Sequence, residues 1–235
     1  MSGQIERRDF MQRVGILAGT AAAATLIEQP ALAQTGAKPV TYEPKRLSLD
    51  PKSIKGISEK VLVSHYENNY VGAVKRLNAI EAQLAELDFA KAPNFVINGL
   101  KREELIAANS MILHEIFFAS LGNESEPEGE LRDALARDFG SIERWHAEFS
   151  AMGKAQGGGS GWVLLTWSRR DGKLVNQWAM DHTTTLAGGQ PILALDMYEH
   201  SYHMDYGARA AAYVDAYMAA INWPNVGRAY GELGS

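Results

Sequence analysis

The sequence contains six histidines and no cysteine, and these two facts limit the metal chemistry that is open to it. The absence of cysteine excludes disulfides and thiolate-bound zinc or iron–sulfur centres, so a metal site would need imidazoles, carboxylates and water. The sharpest local pattern places Asp196 four residues before His200, directly after an apolar run. A carboxylate and an imidazole at this spacing can bind one ion if the intervening chain turns helically. The histidines are His65, His114, His146, His182, His200 and His203.

His65 and His114 each lie within a predicted helix among apolar neighbours. Two helices of a hairpin can direct one imidazole each to a shared point. Three imidazoles and one carboxylate, with room for a solvent molecule, suit iron or manganese redox chemistry, and zinc is also possible. Spacing alone leaves a structural role open, because a single histidine on a helix is more often a packing or surface residue.

The elements that must position these side chains begin with a helical half. Apolar residues that recur at three- and four-residue spacing predict a helix over 53–87. A connector with Pro93 follows over 88–100, and a second helix is predicted over 101–121, so that the two helices form an antiparallel hairpin. Two further helices are predicted over 131–139 and 142–153.

A glycine-rich stretch at 156–161 ends the helical half and introduces predicted strands. The strands cover 162–167, 174–180 and 191–196, and a last helix is predicted over 205–221. The predicted fold class is α+β. An N-terminal antiparallel helical hairpin occupies 34–123, and a C-terminal domain with a small three-stranded antiparallel sheet and helices occupies 124–235.

Residues 1–33 are interpreted as an export signal and not as part of the fold. The paired arginines Arg7 and Arg8 precede a weakly apolar run, which ends in the small-x-small pattern of residues 31–33. This arrangement resembles a twin-arginine signal. It predicts cleavage after Ala33, transport by the twin-arginine translocation machinery and a periplasmic location. The alternative is a soluble N-terminal helix that begins with two arginines.

Composition limits the remaining function classes. The chain has 235 residues, of which 46% are hydrophobic, and a net charge of −5. It is long enough to bury a sizeable core. The mildly acidic balance argues against a nucleic-acid partner, which usually requires a basic face.

Several motifs together resemble the iron/manganese superoxide dismutase family. The most specific is the stretch 195–202, which is similar to the family signature D-x-W-E-H-A-Y. The other motifs follow in the family's order between about residues 40 and 228: Ser64-His65-Tyr66, residues 113–118, Phe139-Gly140-Ser141, Gly159-Ser160-Gly161-Trp162 and Ile221-Asn222-Trp223.

The resemblance implies a homodimer that binds one iron per subunit, with manganese possible, and converts superoxide into dioxygen and hydrogen peroxide. Trp162 matches the aromatic wall of the metal pocket. Glu199 matches the carboxylate that reaches across the dimer interface to the partner's ligand histidine. The family's four metal ligands fall on His65, His114, Asp196 and His200.

The sequence departs from the family at positions that concern proton supply and not metal binding. Ala73 stands where the family has a gateway tyrosine. The family's interfacial His/Tyr pair becomes Asn69 and His203. Most members of the family have one glutamine that contacts the metal-bound solvent, supplied from a helix position or a sheet position. Ser110 stands at the helix position, so His182, which aligns with the sheet position, is the candidate for that contact. The alternative is that His182 is a surface residue at the end of a strand.

These departures keep other functions open. One alternative is a metal-binding homologue with weak or lost dismutase activity, acting as a sensor or store. Another is a structural or interaction protein without metal, which would not need four intact ligands.

Overall fold

The computed structural model describes residues 38–123 and 125–234, so the predicted export signal over 1–33 lies outside the described residues. No helix in these two ranges is both long and apolar enough to span a membrane. A π-helical turn covers His65–Tyr70, and short 3-10 helices cover Pro51–Ser53, Glu199–Ser201 and Glu232–Gly234. The α-helices are α1 (Glu59–Ser64), α2 (Val71–Glu86), α3 (Asn94–Ala119), α4 (Gly129–Phe139), α5 (Ile142–Ala155), α6 (His203–Tyr206), α7 (Ala210–Ala219) and α8 (Trp223–Gly231).

The first half is the predicted helical hairpin, in which α2 packs against α3. Ser58 begins α1 because its hydroxyl accepts a hydrogen bond from the Val61 N–H at 3.2 Å. The buried side of α2 repeats at helical spacing and forms the hairpin core together with α3. Its buried residues are Ala73, Val74, Leu77, Ile80 and Leu84.

A π-helical turn separates α1 from α2. The Val71 N–H donates to the Tyr66 carbonyl, five residues earlier, instead of the four of an α-helix. The turn begins at His65 and ends at Tyr70, and both side chains are buried. It therefore widens the helix where a predicted site residue enters the core.

Helix α3 begins earlier than predicted, at Asn94 instead of residue 101. The prediction was wrong because Pro93 was assigned to a connector, whereas proline can directly precede a helix. None of the residues in 94–106 is buried, and Phe95 is 78% exposed. The first turns of α3 have no buried face, and their apolar residues Phe95, Val96 and Ile97 are consecutive instead of helically spaced.

The second half contains the predicted three-stranded antiparallel sheet, in the order β2-β1-β3. The strands are β1 (Trp162–Ser168), β2 (Lys173–Ala179) and β3 (Gly189–Asp196). Trp162, at the start of β1, pairs with Ala179 at the end of β2 and with Asp196 at the end of β3. This register gathers the predicted site residues of the sheet at one end. The predicted α+β fold class is confirmed.

The C-terminal helices differ from the single helix predicted over 205–221. Gly207 adopts φ +54°, a left-handed conformation that interrupts the helix between α6 and α7. Helix α8 follows with Asn222 as its N-cap, since its side chain accepts from the Asn225 N–H. The prediction was wrong here because a single glycine gives a weak stop signal within an otherwise helical pattern.

The irregular segment before α1 is bound to the hairpin by directed hydrogen bonds. The Tyr66 hydroxyl donates to the Lys45 carbonyl at 2.9 Å, and the Lys45 N–H donates to the Tyr70 hydroxyl at 2.8 Å. The Tyr70 hydroxyl in turn donates to Glu115 Oε1 at 3.0 Å. Because Tyr66 follows His65 and Glu115 follows His114, these bonds fix the backbone beside two predicted site residues.

Gly161 provides a test of how closely the strand ends approach. Its φ is +131°, and a Cβ there would lie 2.2 Å from the Ala179 carbonyl oxygen. We expect Gly161→Ala to lower the free energy of unfolding by about 3 kcal/mol or more, because strain and overpacking add. Gly188→Ala is the control, since φ is +74° but nothing lies within 4 Å, and should cost about 1–2 kcal/mol. Equal urea midpoints for the two variants would contradict the prediction.

Candidate metal centre

Four side chains from both halves of the fold converge on one point. His65 comes from the π-helical turn, His114 from α3, Asp196 from the end of β3, and His200 from the 3-10 helix that follows. One potential ligand atom of each lies within 4.8 Å of the others. Asp196 Oδ2 is 3.1 Å from His65 Nε2, 3.2 Å from His200 Nε2 and 3.6 Å from His114 Nε2.

Buried nitrogens without partners indicate that this group fits a cation. His65 and Asp196 are fully buried and His114 is 1% exposed. Among residues 38–123 and 125–234, neither ring nitrogen of His65 nor Nε2 of His114 has a hydrogen-bond partner, although Asp196 lies close. Such groups cost free energy when buried unpaired. A metal ion accepting lone pairs from the imidazoles and from Asp196 Oδ2 would satisfy them, so the residues fit an iron or manganese ion.

Backbone groups orient two of the four side chains. The Nδ1 of His114 lies 2.6 Å from the Ser110 carbonyl oxygen, which can only accept, so Nδ1 carries the proton and donates. The lone pair of His114 is therefore on Nε2, the atom that faces the group. Asp196 Oδ1 accepts from the Tyr198 N–H at 2.8 Å, which leaves Oδ2 for a metal.

The protonation states at neutral pH suit metal binding. Burial lowers the pKa of His65, and it lowers the pKa of His114 to about 3. Burial opposes the charge of Asp196, but the neighbouring His200 and His65 outweigh it and hold the pKa of Asp196 well below its usual range. His65, His114 and Asp196 therefore offer two imidazole lone pairs and a carboxylate without having to lose protons.

Aromatic side chains wall the centre on its inner sides. The rings of Phe117 and Phe118 lie 4.8 Å and 5.1 Å from the ring of His65, measured between centroids. The ring of Trp162 is fully buried and stands edge-on to His114 at 5.2 Å. These three buried rings make the core side of the centre apolar.

One cavity of about 450 Å³ opens onto the remaining side. His114 and His200 form its inner end, and the other lining residues include Asn69, Ala73, Arg76, Ser110, His182 and Tyr198. His182 is partly buried, and its Nδ1 accepts a hydrogen bond from the Trp162 indole N–H at 3.0 Å. It is thus not the exposed surface residue of the alternative interpretation, while its catalytic role stays a prediction.

The remaining predicted site residues divide between the cavity and the surface. Asn69 lines the cavity, whereas Glu199 and His203 are exposed beside His200. Asn69 and His203 are not hydrogen-bonded to each other within the described chain. Their proposed contacts across a dimer interface stay predictions.

Sequence reasoning missed Asn109, which anchors the segment that carries His182. The Asn109 side-chain amide donates to the His182 carbonyl oxygen, across 73 residues of sequence. An asparagine five residues before the predicted helical histidine His114 has no spacing signal that points to a distant loop. Only the folded chain, in which α3 lies beside the segment that follows β2, reveals the contact.

Three imidazoles and one carboxylate around a single point, walled by aromatic rings and open to one cavity, define a mononuclear metal centre in an α+β protein. Residues 127–229 match the family model of the iron/manganese superoxide dismutases, C-terminal domain.

Curated relatives cover most of the chain. The chain is 71% identical over 182 residues to the superoxide dismutase [Fe] of Cupriavidus metallidurans, which covers 77% of this chain and 92% of the relative. It is 37% identical to superoxide dismutase [Mn] 1 of Halobacterium salinarum, over 71% of this chain and 83% of that protein. The superoxide dismutase [Fe] of Aquifex pyrophilus is 32% identical over 77% of this chain and 87% of that protein. The chain belongs to the iron/manganese superoxide dismutase family.

Asp196 provides the test of the metal centre. We expect Asp196→Ala protein to purify without a full metal complement, because three neutral imidazoles bind a trivalent ion less well than three imidazoles with a carboxylate. Asp171→Ala is a matched control, since Asp171 lies in the exposed β1–β2 turn. Elemental analysis of both variants measures the difference. A full complement in Asp196→Ala protein would show that Asp196 is not a ligand.

Proposed function

We propose that this protein is a superoxide dismutase that holds one iron ion through His65, His114, Asp196 and His200. Two superoxide ions and two protons would give one dioxygen and one hydrogen peroxide. The observation that carries this proposal is the buried group of three imidazoles and a carboxylate, with ring nitrogens that no other group in the described part of the chain satisfies. A bound iron would supply the electron exchange, taking an electron from one superoxide and giving it to the next.

The chain's own residues supply charge balance and orientation. The carboxylate of Asp196 offsets part of the charge of a bound cation, and the neutral imidazoles add none. The Ser110 carbonyl and the Tyr198 N–H keep Nε2 of His114 and Oδ2 of Asp196 directed at the centre. Phe117, Phe118 and Trp162 exclude water from the inner walls, so exchange with solvent occurs through the cavity.

Protons must reach the reacting oxygen through the same cavity. Ala73 lines it where a phenol would stand in most of the family, so this position supplies no hydroxyl. His182 lines the cavity beside His114, with ring centroids 6.1 Å apart. We assign to His182 the hydrogen bond to the reacting oxygen, with solvent in the cavity as the source of protons.

Iron is proposed over manganese on two grounds. The relative at 71% identity is named for iron, whereas the manganese-named relatives are 35–38% identical. His182 occupies the position where some iron-type members of the family carry histidine. The alternative of a homologue with lost activity is not favoured, because that identity extends over most of both chains.

Metal analysis combined with a superoxide dismutation assay on the purified protein tests the function. The proposal expects about one iron per subunit and activity that disappears when iron is removed and returns when it is added back. Bound iron without dismutation would support the sensor or store. Neither metal nor activity would support a structural protein.

A homodimer completes the proposal, with Glu199 beside His200 of the partner subunit. Glu199 and His203 are exposed, and the side chain of His200 is 28% exposed, more than the other three side chains of the centre. A symmetric contact over this surface would bury these groups twice. The carboxylate would then orient the partner's imidazole.

Glu199→Ala tests the dimer. The substitution should weaken both dimer and metal retention, because it leaves a buried imidazole N–H unpaired in each subunit, at about 1–3 kcal/mol per group. Sedimentation at micromolar concentration and elemental analysis measure the two effects. Glu86→Ala, at the exposed end of α2, is the control. Wild-type protein that sediments as a monomer would count against the dimer.

We also propose that the protein is exported to the periplasm by the twin-arginine route. The support is the order of features in residues 1–33: paired arginines, a mild apolar run and a small-x-small site. This route carries folded proteins, which suits a protein whose metal is inserted before export.

Replacement of Arg7 and Arg8 by lysine tests the route. We expect the double variant to accumulate in the cytoplasm, because the signal depends on the arginine pair. Arg13→Lys is the control, since this arginine lies outside the pair. Cell fractionation and immunoblotting measure the distribution. Unchanged periplasmic protein in the double variant would overturn the proposal.

A further inference from the structure

The ring of His182 is held by neighbours on both its edge and its face. Its Nδ1 lies 3.0 Å from Nε1 of Trp162, and the ring of Tyr198 stacks on it at 4.9 Å with an interplanar angle of 14°. The Asn109 amide holds the His182 backbone carbonyl. The ring therefore has one defined orientation relative to the cavity that it lines.

The chemistry of the Trp162 contact determines where the proton of His182 resides. An indole nitrogen carries a hydrogen and can only donate, so it requires an acceptor opposite it. A hydrogen on Nδ1 of His182 would place two N–H groups against each other at 3.0 Å. Nδ1 must therefore carry the lone pair, and a neutral imidazole then has its hydrogen on Nε2.

We propose that Trp162 fixes His182 as the Nε2–H tautomer, so that His182 offers the cavity a hydrogen-bond donor and no acceptor. Nε2 is the remaining nitrogen through which the ring can bond to anything in the cavity. Trp162 is then a positioning residue that acts through His182, in addition to its place in the wall beside His114. This inference rests on the proposed function, because it assigns a direction to the hydrogen bond of His182.

A fixed donor gives the cavity a preference for oxygen or nitrogen anions. An anion accepts a hydrogen bond from Nε2–H, whereas a ligand that must donate finds no acceptor on His182. Superoxide is such an anion, and neutral dioxygen is a much weaker acceptor. The tautomer thus favours retention of the substrate over the product of its oxidation.

The first test observes the tautomer itself. Two-bond proton–nitrogen correlation spectra of the histidine rings distinguish Nε2–H from Nδ1–H, and they are recorded on gallium(III)-loaded protein and on the protein as purified. We expect wild-type His182 to be Nε2–H only. In Trp162→Phe protein the lost indole donor frees Nδ1, and the spectrum should show a mixture of tautomers or Nδ1–H.

The second test uses azide as an anionic probe of the ferric protein. Azide affinity should fall about threefold to tenfold in Trp162→Phe protein, the range that corresponds to one neutral hydrogen bond. The matched control is Trp145→Phe, because Trp145 is also buried, at 1% exposure, but its indole nitrogen has no hydrogen-bond partner among the residues that the structure describes. The control should keep the wild-type tautomer and azide affinity within about twofold.

Two outcomes would overturn the inference. One is Nδ1–H on His182 in the wild-type spectrum, which depends on no variant. The other is a Trp162→Phe protein with the wild-type tautomer and azide affinity. Failure of the proposed function would differ from both, because wild-type protein would then carry no metal or show no dismutation, while its His182 tautomer would still be measurable.

Discussion

The buried carboxylate of Asp196 is the constraint on which the arrangement of both halves depends. Asp196 is fully buried, and a buried charge costs several kcal/mol of folding free energy unless other groups compensate it. Here the compensation is divided: the Tyr198 N–H holds one oxygen, and imidazoles from both halves surround the other. The helical hairpin and the sheet must therefore meet at Asp196, and neither half can complete the centre alone.

Helix α3 connects the two halves in more than one way. Its Ser110 carbonyl orients His114, and its Asn109 amide holds the chain at His182. Glu115 on the same helix accepts from Tyr70, which binds the segment before α1. About two consecutive turns of one helix, residues 109–115, thus set the positions of groups that lie far apart in sequence.

Much of the fold could be predicted wherever neighbouring residues in the sequence showed a helix, strand or turn pattern. Short apolar runs after the glycine-rich stretch at 156–161 placed the three strands within two residues of their bounds. The start of α3 could not be predicted, since its apolar residues Phe95, Val96 and Ile97 are consecutive and carry no helical spacing, and α8 was missed altogether. The four residues of the centre were predicted from the resemblance of their motifs to those of the iron/manganese superoxide dismutase family. Asn109 could not be found, because its partner is the backbone of a distant loop and backbone carbonyls carry no sequence signature.

The π-helical turn at His65–Tyr70 allows the His65 side chain to point toward the centre while the buried side of α2 points toward α3. In a straight α-helix each residue advances the side-chain direction by about 100°, so the direction of His65 would dictate which side of α2 faces α3. The extra residue in this turn lets the two directions be set independently. Loss of one residue here would rotate His65 against the stripe of Val74 and Leu77 by about 100°. An insertion or deletion near this histidine therefore changes the direction of its side chain relative to the hairpin core more than it changes the length of the helix. Counting residues outward from His65 does not by itself identify equivalent positions in relatives.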